Sequence, residues 1–345
     1  MCKGGVNLQS LTMRNLLPIL KITILLCSLP FSGLCQEKKY TSSFLFKFDN
    51  DYLNIKMKGS DRFYTCGILL EYTSQVKRRT IFDRIAIAPS DSSFRIRTIS
   101  LDHQTYTPKH IGNSKVQIGD YPYAGLIVIN YGNKFLEKDY SFTSILTLGI
   151  QGKAALSCEV QSFLHQKVFH SNTPLGWKYQ LPNDIAMCYT FSFDKRIFAV
   201  QHAEVLGNAT LQVGTLHNTF SLGGYFRFGR FYSFFDPRSL LFTRDKRSVK
   251  RQVYITIEPY LKFVQGNSLL EGGPTNSPGP AWGKPGSKYY HINRDQMERI
   301  VYGYSWALCY VSRWFSVAFQ QHLQSAEIKG LPAHEYASVK LGVKL

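Results

Sequence analysis

The chain has 345 residues, a net charge of +18 and unusually many aromatics, with 21 Tyr and 24 Phe. That apolar content excludes a disordered polymer, and past the N-terminal leader no apolar stretch approaches the ~18 residues of a membrane-spanning helix. So basic a balance would point a soluble protein toward nucleic acid, but it equally suits a surface that meets phosphorylated lipid, and no nucleic-acid partner is expected.

At the N-terminus, Met13, Arg14 and Lys21 lead into the apolar run ITILLCSLPFSGLC, and the chain turns polar at Gln36-Glu37-Lys38-Lys39. A basic front, an apolar middle and small residues before a polar start read as a secretory signal peptide. Gly33 and Cys35 suit the positions before a cleavage site, so residues 1–35 are expected to leave and 36–345 to form the mature protein. A lipoprotein box ending on Cys35 is disfavoured, because Leu34 stands where a small residue is required. Cleavage also removes Cys2, Cys27 and Cys35. The remaining Cys66, Cys158, Cys188 and Cys309 are widely spaced and contain no CxxC pair, so neither zinc nor dithiol chemistry is expected.

The first strand, SSFLFKF, ends on Asp49, Asn50 and Asp51. Clustered oxygen donors of this kind suit a hard cation such as Ca2+. Alternation puts Asn50 with Phe46 and Phe48, and Asp51 with Lys47 and Asp49, so both reach one site only if the strand bends or ends there. Thr65, in FYTCG, opens the second strand and lies beside them if the two strands form a hairpin. Further on, TPKHIGNSK supplies Lys109 and Lys115, and DYPYAG spans Asp120 to Gly125. The connection from Ala154 to Asn183 holds CEVQSFLHQKVFH, in which Val160, Phe163, Leu164, Lys167 and Val168 recur near the helical period. A short helix there, projecting from the rim and folded against the wall, would hold His165 over the barrel mouth.

Later segments alternate with a period of two. Val253, Ile255, Ile257, Leu261 and Phe263 oppose Tyr254, Thr256, Glu258, Tyr260 and Lys262, with a bulge expected at Pro259. Tyr302, Tyr304, Trp306, Leu308 and Tyr310 oppose smaller residues. Ala337, Val339, Leu341, Val343 and Leu345 oppose Tyr336, Ser338, Lys340, Gly342 and Lys344. Segments of this kind, starting near residues 42, 62, 94, 121, 140, 184, 197, 213, 251, 298, 313 and 335, predict an all-β fold: a transmembrane antiparallel β-barrel of about twelve strands with one short loop helix. Glu137-Lys138-Asp139 and Asp194-Lys195-Arg196 are expected as turns, Lys77-Arg78-Arg79 and Lys246-Arg247 as solvated charges between strands. The connection from Gln265 to Met297 carries EGGPTNSPGPAWGKPGSK, too rich in Gly and Pro for helix or strand.

Taken together, the Asn50-Asp51 block with Thr65, DYPYAG and the His165 block resemble the signature segments of the outer-membrane lipid A 3′-O-deacylases, the LpxR-like family. The resemblance covers the chain to about Gly229. It implies Ca2+-dependent ester hydrolysis at the 3′ position of lipid A in the outer membrane, by a monomer surrounded by outer-membrane lipids. It also implies a catalytic set of Asn50, Asp51, Thr65 and His165, with Asp51 and Asn50 as cation ligands. Lys109 and Lys115 are the candidates for substrate phosphate. The chain departs from the family pattern at Asn172, where an acidic residue is expected, and in lacking an unambiguous basic pair after the third strand. Two other readings fit the residues: an outer-membrane phospholipase with Ser162 near His165, and a non-enzymatic porin or structural barrel.

Overall fold

The computed structural model describes residues 42–55, 62–76, 93–169, 173–240, 251–275 and 289–345. The leader, Asn172, both basic runs and most of the Gly/Pro-rich segment lie outside these residues. Twelve strands close into one antiparallel barrel. They are β1 (Ser43–Asn50), β2 (Phe63–Gln75), β3 (Phe94–Thr107), β4 (Ala124–Leu136), β5 (Tyr140–Gln151) and β6 (Asp184–Val200), followed by β7 (Ala203–Gly214), β8 (His217–Arg230), β9 (Gln252–Asn267), β10 (Ile300–Val311), β11 (Phe315–Gln324) and β12 (His334–Lys344). Each strand pairs with its sequence neighbours, and β1 pairs with β12 to leave no free edge.

The alternation read from sequence becomes the two faces of the wall. Ile255, Ile257, Leu261 and Phe263 stay exposed on the outside, as do Leu308, Leu341 and Val343. In a soluble sheet this would be an unmet apolar surface; around a closed barrel it is the band that lipid covers. The inner face is polar and carries internal pairs. Lys47 pairs with Asp49 at 2.7 Å. Asp194 accepts from Lys134 Nζ (3.2 Å), Ser141 Oγ (2.7 Å) and Asn208 Nδ2 (2.7 Å).

Two local expectations are corrected. Asp194-Lys195-Arg196 is not a turn: β6 runs through it to Val200, and the reversal falls at Gln201-His202. The charges are accommodated because Asp194 points into the polar lumen, while Arg196 reaches Asp139 and Glu204. A register shift between Arg196 and Phe198 takes up the irregularity. At Pro259 there is no bulge. Its register with β10 is continuous, and on the β8 side the ladder lapses between the Gly223–Tyr260 and Phe226–Ile257 pairs without shifting. Proline's missing N–H is absorbed by a gap opposite Gly224 and Tyr225.

Loop segments fold inward at both ends of the barrel. At the rim where β1 ends and β2 begins, loop residues Tyr121, Leu270, Tyr290, Ile292, Met297 and Ile328 pack against Phe63, Val264 and Val301. The Tyr121 hydroxyl donates to Glu327 Oε2 at 2.8 Å; burial, and then that carboxylate, raise its pKa well above the ordinary tyrosine value, so it stays a donor. Phe63 enters β2 at φ 69°, a left-handed conformation costing about 1 kcal/mol for a residue with a Cβ. Its ring, against Tyr121 at 4.4 Å, offsets that strain by burial. At the opposite rim the segment after β8 folds inward on Glu204. That carboxylate accepts from Arg227 Nη1 (2.7 Å), Ser233 Oγ (2.7 Å) and the Phe234 N–H (2.9 Å). A cavity of about 760 Å3 remains, lined by Glu71, Asp102, Asn130, Glu258 and Lys340 among others.

Candidate active site

The end of β1 behaves as its sequence requires. Asn50 closes the strand, and the backbone turns at once, with Tyr52 N–H donating to Asn50 Oδ1 at 2.8 Å. Asn54 Nδ2 donates to the Asp51 carbonyl at 2.7 Å, and Arg62 N–H donates to Asp51 Oδ2 at 3.0 Å. Because the strand ends there, alternation no longer separates Asn50 from Asp51. Thr65 is beside them: Asn50 Nδ2 donates to its carbonyl at 3.1 Å. A register shift between Tyr64 and Cys66 lets Thr65 stand out of the ladder, and its Oγ1 donates to the Thr105 carbonyl at 3.1 Å. Asp49 belongs elsewhere, since Lys47 and the Tyr64 hydroxyl (2.7 Å) hold it in the lumen.

The loop after β5 carries the expected helix, α1 (Ser157–Phe163), which continues into a π-helical turn over Leu164–Phe169 that contains His165. Such turns are rare and recur at functional sites. The segment does not overhang the mouth. Asp102 and Gln104 line the lumen, so His103 between them and Thr105 beyond face outward. His103 Nε2 lies 3.0 Å from the Ala155 carbonyl, and Ser157 Oγ lies 3.1 Å from the same nitrogen. On β4, Leu126 and Val128 face in, so Gly125 faces out, and a Cβ there would sit 2.4 Å from Ser157 Oγ. The helix therefore lies on the outer wall, over β3 and β4.

Its amphipathicity is the reverse of the one expected. Ser157, Gln161 and His165, four residues apart, form the buried stripe, whereas Leu156, Phe163 and Val168 are more than half exposed. A soluble protein would turn such a helix over. On a barrel wall the apolar side can meet lipid, and the polar side is enclosed. Trp177 braces the stripe: its Nε1 donates to Gln161 Oε1 at 2.9 Å, and its ring packs on Tyr123 at 4.9 Å.

Asn50, Asp51 and Thr65 thus sit together where β1 ends, and the helix that leads to His165 starts on the outer wall over β3 and β4. Thr105 pairs with Cys66, and Cys66 pairs with Asn50; two strand spacings make that roughly 10 Å. Asn50 is 8% exposed, Asp51 0%, Thr65 2% and His165 6%. Lys109 and Lys115 are not drawn in. Both are exposed on the loop after β3, where their N–H groups bond Asp120 Oδ2 and Asn113 Oδ1. Among the described residues no three His, Cys, Asp or Glu side chains gather as a metal centre. The turn after β1 instead collects one buried carboxylate with amide and carbonyl oxygens, a donor set that fits Ca2+. Sequence reasoning missed His103, Ser157 and Trp177; the Ser157, Gln161, His165 spacing was the legible clue.

A sequence model described as "Outer membrane protein LpxR" matches residues 20–345. Among solved structures, LpxR from Salmonella typhimurium superposes with a TM-score of 0.68 at 14% identity, covering 88% of this chain and all of that one. The β domain of the Bordetella autotransporter BrkA reaches 0.42 at 6% identity, over 89% of this chain and all of that one. No curated protein sequence matches the chain.

Proposed function

The chain belongs to the LpxR family of outer-membrane proteins, and from that premise we propose that it is a Ca2+-dependent ester hydrolase that removes the 3′-linked acyl or acyloxyacyl chain of lipid A. The observation that carries the reading is the inverted helix: a buried histidine, His165, held on a polar stripe against the outside of a lipid-facing wall. A substrate whose ester lies at the headgroup boundary reaches such a site from the bilayer, with its acyl chains along the exposed strand side chains.

His165 acts as general base, taking a proton from the attacking water. The hydroxide adds to the ester carbonyl, the bond from the acyl carbon to the 3′ oxygen breaks, and that oxygen leaves with the proton from His165. The products are a fatty acid and a 3′-hydroxyl. Asn50 and the Thr65 segment shape the pocket wall, and burial excludes bulk water, which strengthens each polar contact. Ca2+, held by Asp51 and Asn50, would supply Lewis-acid stabilisation of charge developing on the carbonyl oxygen.

The test is to incubate the purified barrel in detergent with lipid A and Ca2+ and weigh the products. The expected mass loss equals the 3′ acyl substituent, chelation stops turnover, and His165→Ala abolishes it while the barrel stays folded. Cleavage of glycerophospholipids instead would establish the phospholipase, which Ser162→Ala would then probe. No hydrolysis of either, with ion conductance, would establish the porin.

A further inference from the structure

We infer that His103 is a positioning residue: from the outer face of β3 it clamps the start of the loop segment that delivers His165. The inference rests on the hydrolase reading for its catalytic consequence, but the clamp itself stands on geometry. His103 is 8% exposed, and its Nε2 is within hydrogen-bond distance of two groups, the Ala155 carbonyl at 3.0 Å and Ser157 Oγ at 3.1 Å.

The two partners decide the tautomer. A carbonyl oxygen only accepts, so Nε2 carries the proton and donates it. The Ser157 hydroxyl cannot then give its proton to the same nitrogen, and it has another acceptor in the Gln104 carbonyl at 3.2 Å. Ser157 and His103 are therefore not a nucleophile and its base, despite their separation. They are two rivets joining one turn to one strand.

What they hold is a strained turn. Leu156, between Ala155 and Ser157, has φ 60° and ψ 24°, left-handed for a residue with a Cβ. Such a conformation persists where its surroundings over-determine it. Here the bonds fall on either side of it, at Ala155 O and Ser157 Oγ. The direction in which α1 leaves this turn sets where His165 lies, two helical turns further on. Gly125 completes the fit, because a Cβ at that position would meet Ser157 Oγ at 2.4 Å and Ala155 Cβ at 3.3 Å.

The test uses the full-length barrel in detergent, with His103→Leu, His103→Gln and Gly125→Ala. Leucine suits the outward face but cannot donate; glutamine places an N–H donor at nearly the same reach as Nε2. Hydrogen exchange over residues 153–166 reads docking, and kinetics on lipid A read the consequence. His103→Leu and Gly125→Ala are expected to lose protection there, with kcat falling roughly 10- to 100-fold, the usual effect of displacing a catalytic group by about 1 Å. KM should change much less, and His103→Gln should restore both readouts to near wild type. Full protection in His103→Leu overturns the clamp, and lost protection with unchanged kcat overturns the positioning role. If wild type does not deacylate lipid A at all, the hydrolase reading fails, while exchange still decides the clamp. Should His103→Leu not fold, Gly125→Ala, which keeps the imidazole, carries the test alone.

Discussion

At the scale of single residues, the site separates groups that alternation alone would mix. Asp49, Asn50 and Asp51 are consecutive, yet Asp49 faces Lys47 inside the lumen and Asp51 is taken up by the turn outside the ladder. Replacing Asp51 with Ala removes the buried carboxylate of the proposed cation site, so deacylation should be lost, and raised Ca2+ should restore little; a titration of activity against Ca2+ checks this. Trp177→Phe is a milder probe. It keeps the packing on Tyr123 but deletes the donor to Gln161, and an unmet buried amide costs about 1–3 kcal/mol. Faster proteolytic nicking of the loop after β5, in a barrel that remains intact, is the expected result. Asn50, Thr65 and His165 were singled out from their segments, and the structure buries all three. His103 was not, because a histidine in a strand acquires this role only through a partner 54 residues away.

At the scale of elements, the helix was legible as a helix but not in its orientation. The sequence pattern of Val160, Phe163, Leu164 and Val168 reads as a stripe for burial, because periodicity cannot say whether the apolar side meets a core or a bilayer. The wall supplies the missing information: Ser157 bonds His103 and the Gln104 carbonyl there, Gln161 is held by Trp177, and Phe163 and Val168 are turned outward. Phe163→Asp should therefore lower turnover on lipid A embedded in vesicles far more than on lipid A dispersed in detergent, since a charge opposes contact with acyl chains. Equal loss in both would mean that Phe163 serves packing rather than membrane contact. The strand boundaries show the same limit. Asp194 and Arg196 look like turn residues until a polar lumen and the neighbouring Asp139 and Glu204 are in place to receive them.

At the scale of the whole molecule, twelve alternating segments were enough to read a closed barrel, because lipid outside and polar groups inside leave one consistent phase. What the alternation could not show is that loops fold inward at both ends of the barrel. Tyr121, Tyr290 and Ile292 come from loops whose residues carry no periodic signal, and Glu204 with Arg227 acts only once the segment after β8 is folded in. Planar-bilayer recordings should accordingly show no stepwise conductance. Opening steps in the intact protein would contradict the packing of Phe63, Val264 and Val301 across the rim.

The junction of β1 with β12 has a consequence for export. Leu345 N–H donates to the Ser42 carbonyl at 3.0 Å, so the two ends of the barrel meet side by side. The turn that carries Asp51 leans on the late strands as well: Ile55 N–H donates to Gln321 Oε1 at 3.1 Å, and His334 Nε2 reaches the Tyr64 carbonyl at 3.2 Å. A chain in transit, with its last hairpin still unpaired, lacks these supports on the turn that would bind the cation. On the proposed hydrolase reading, activity is thereby tied to completed insertion, and the unfinished chain crosses the cell envelope inactive.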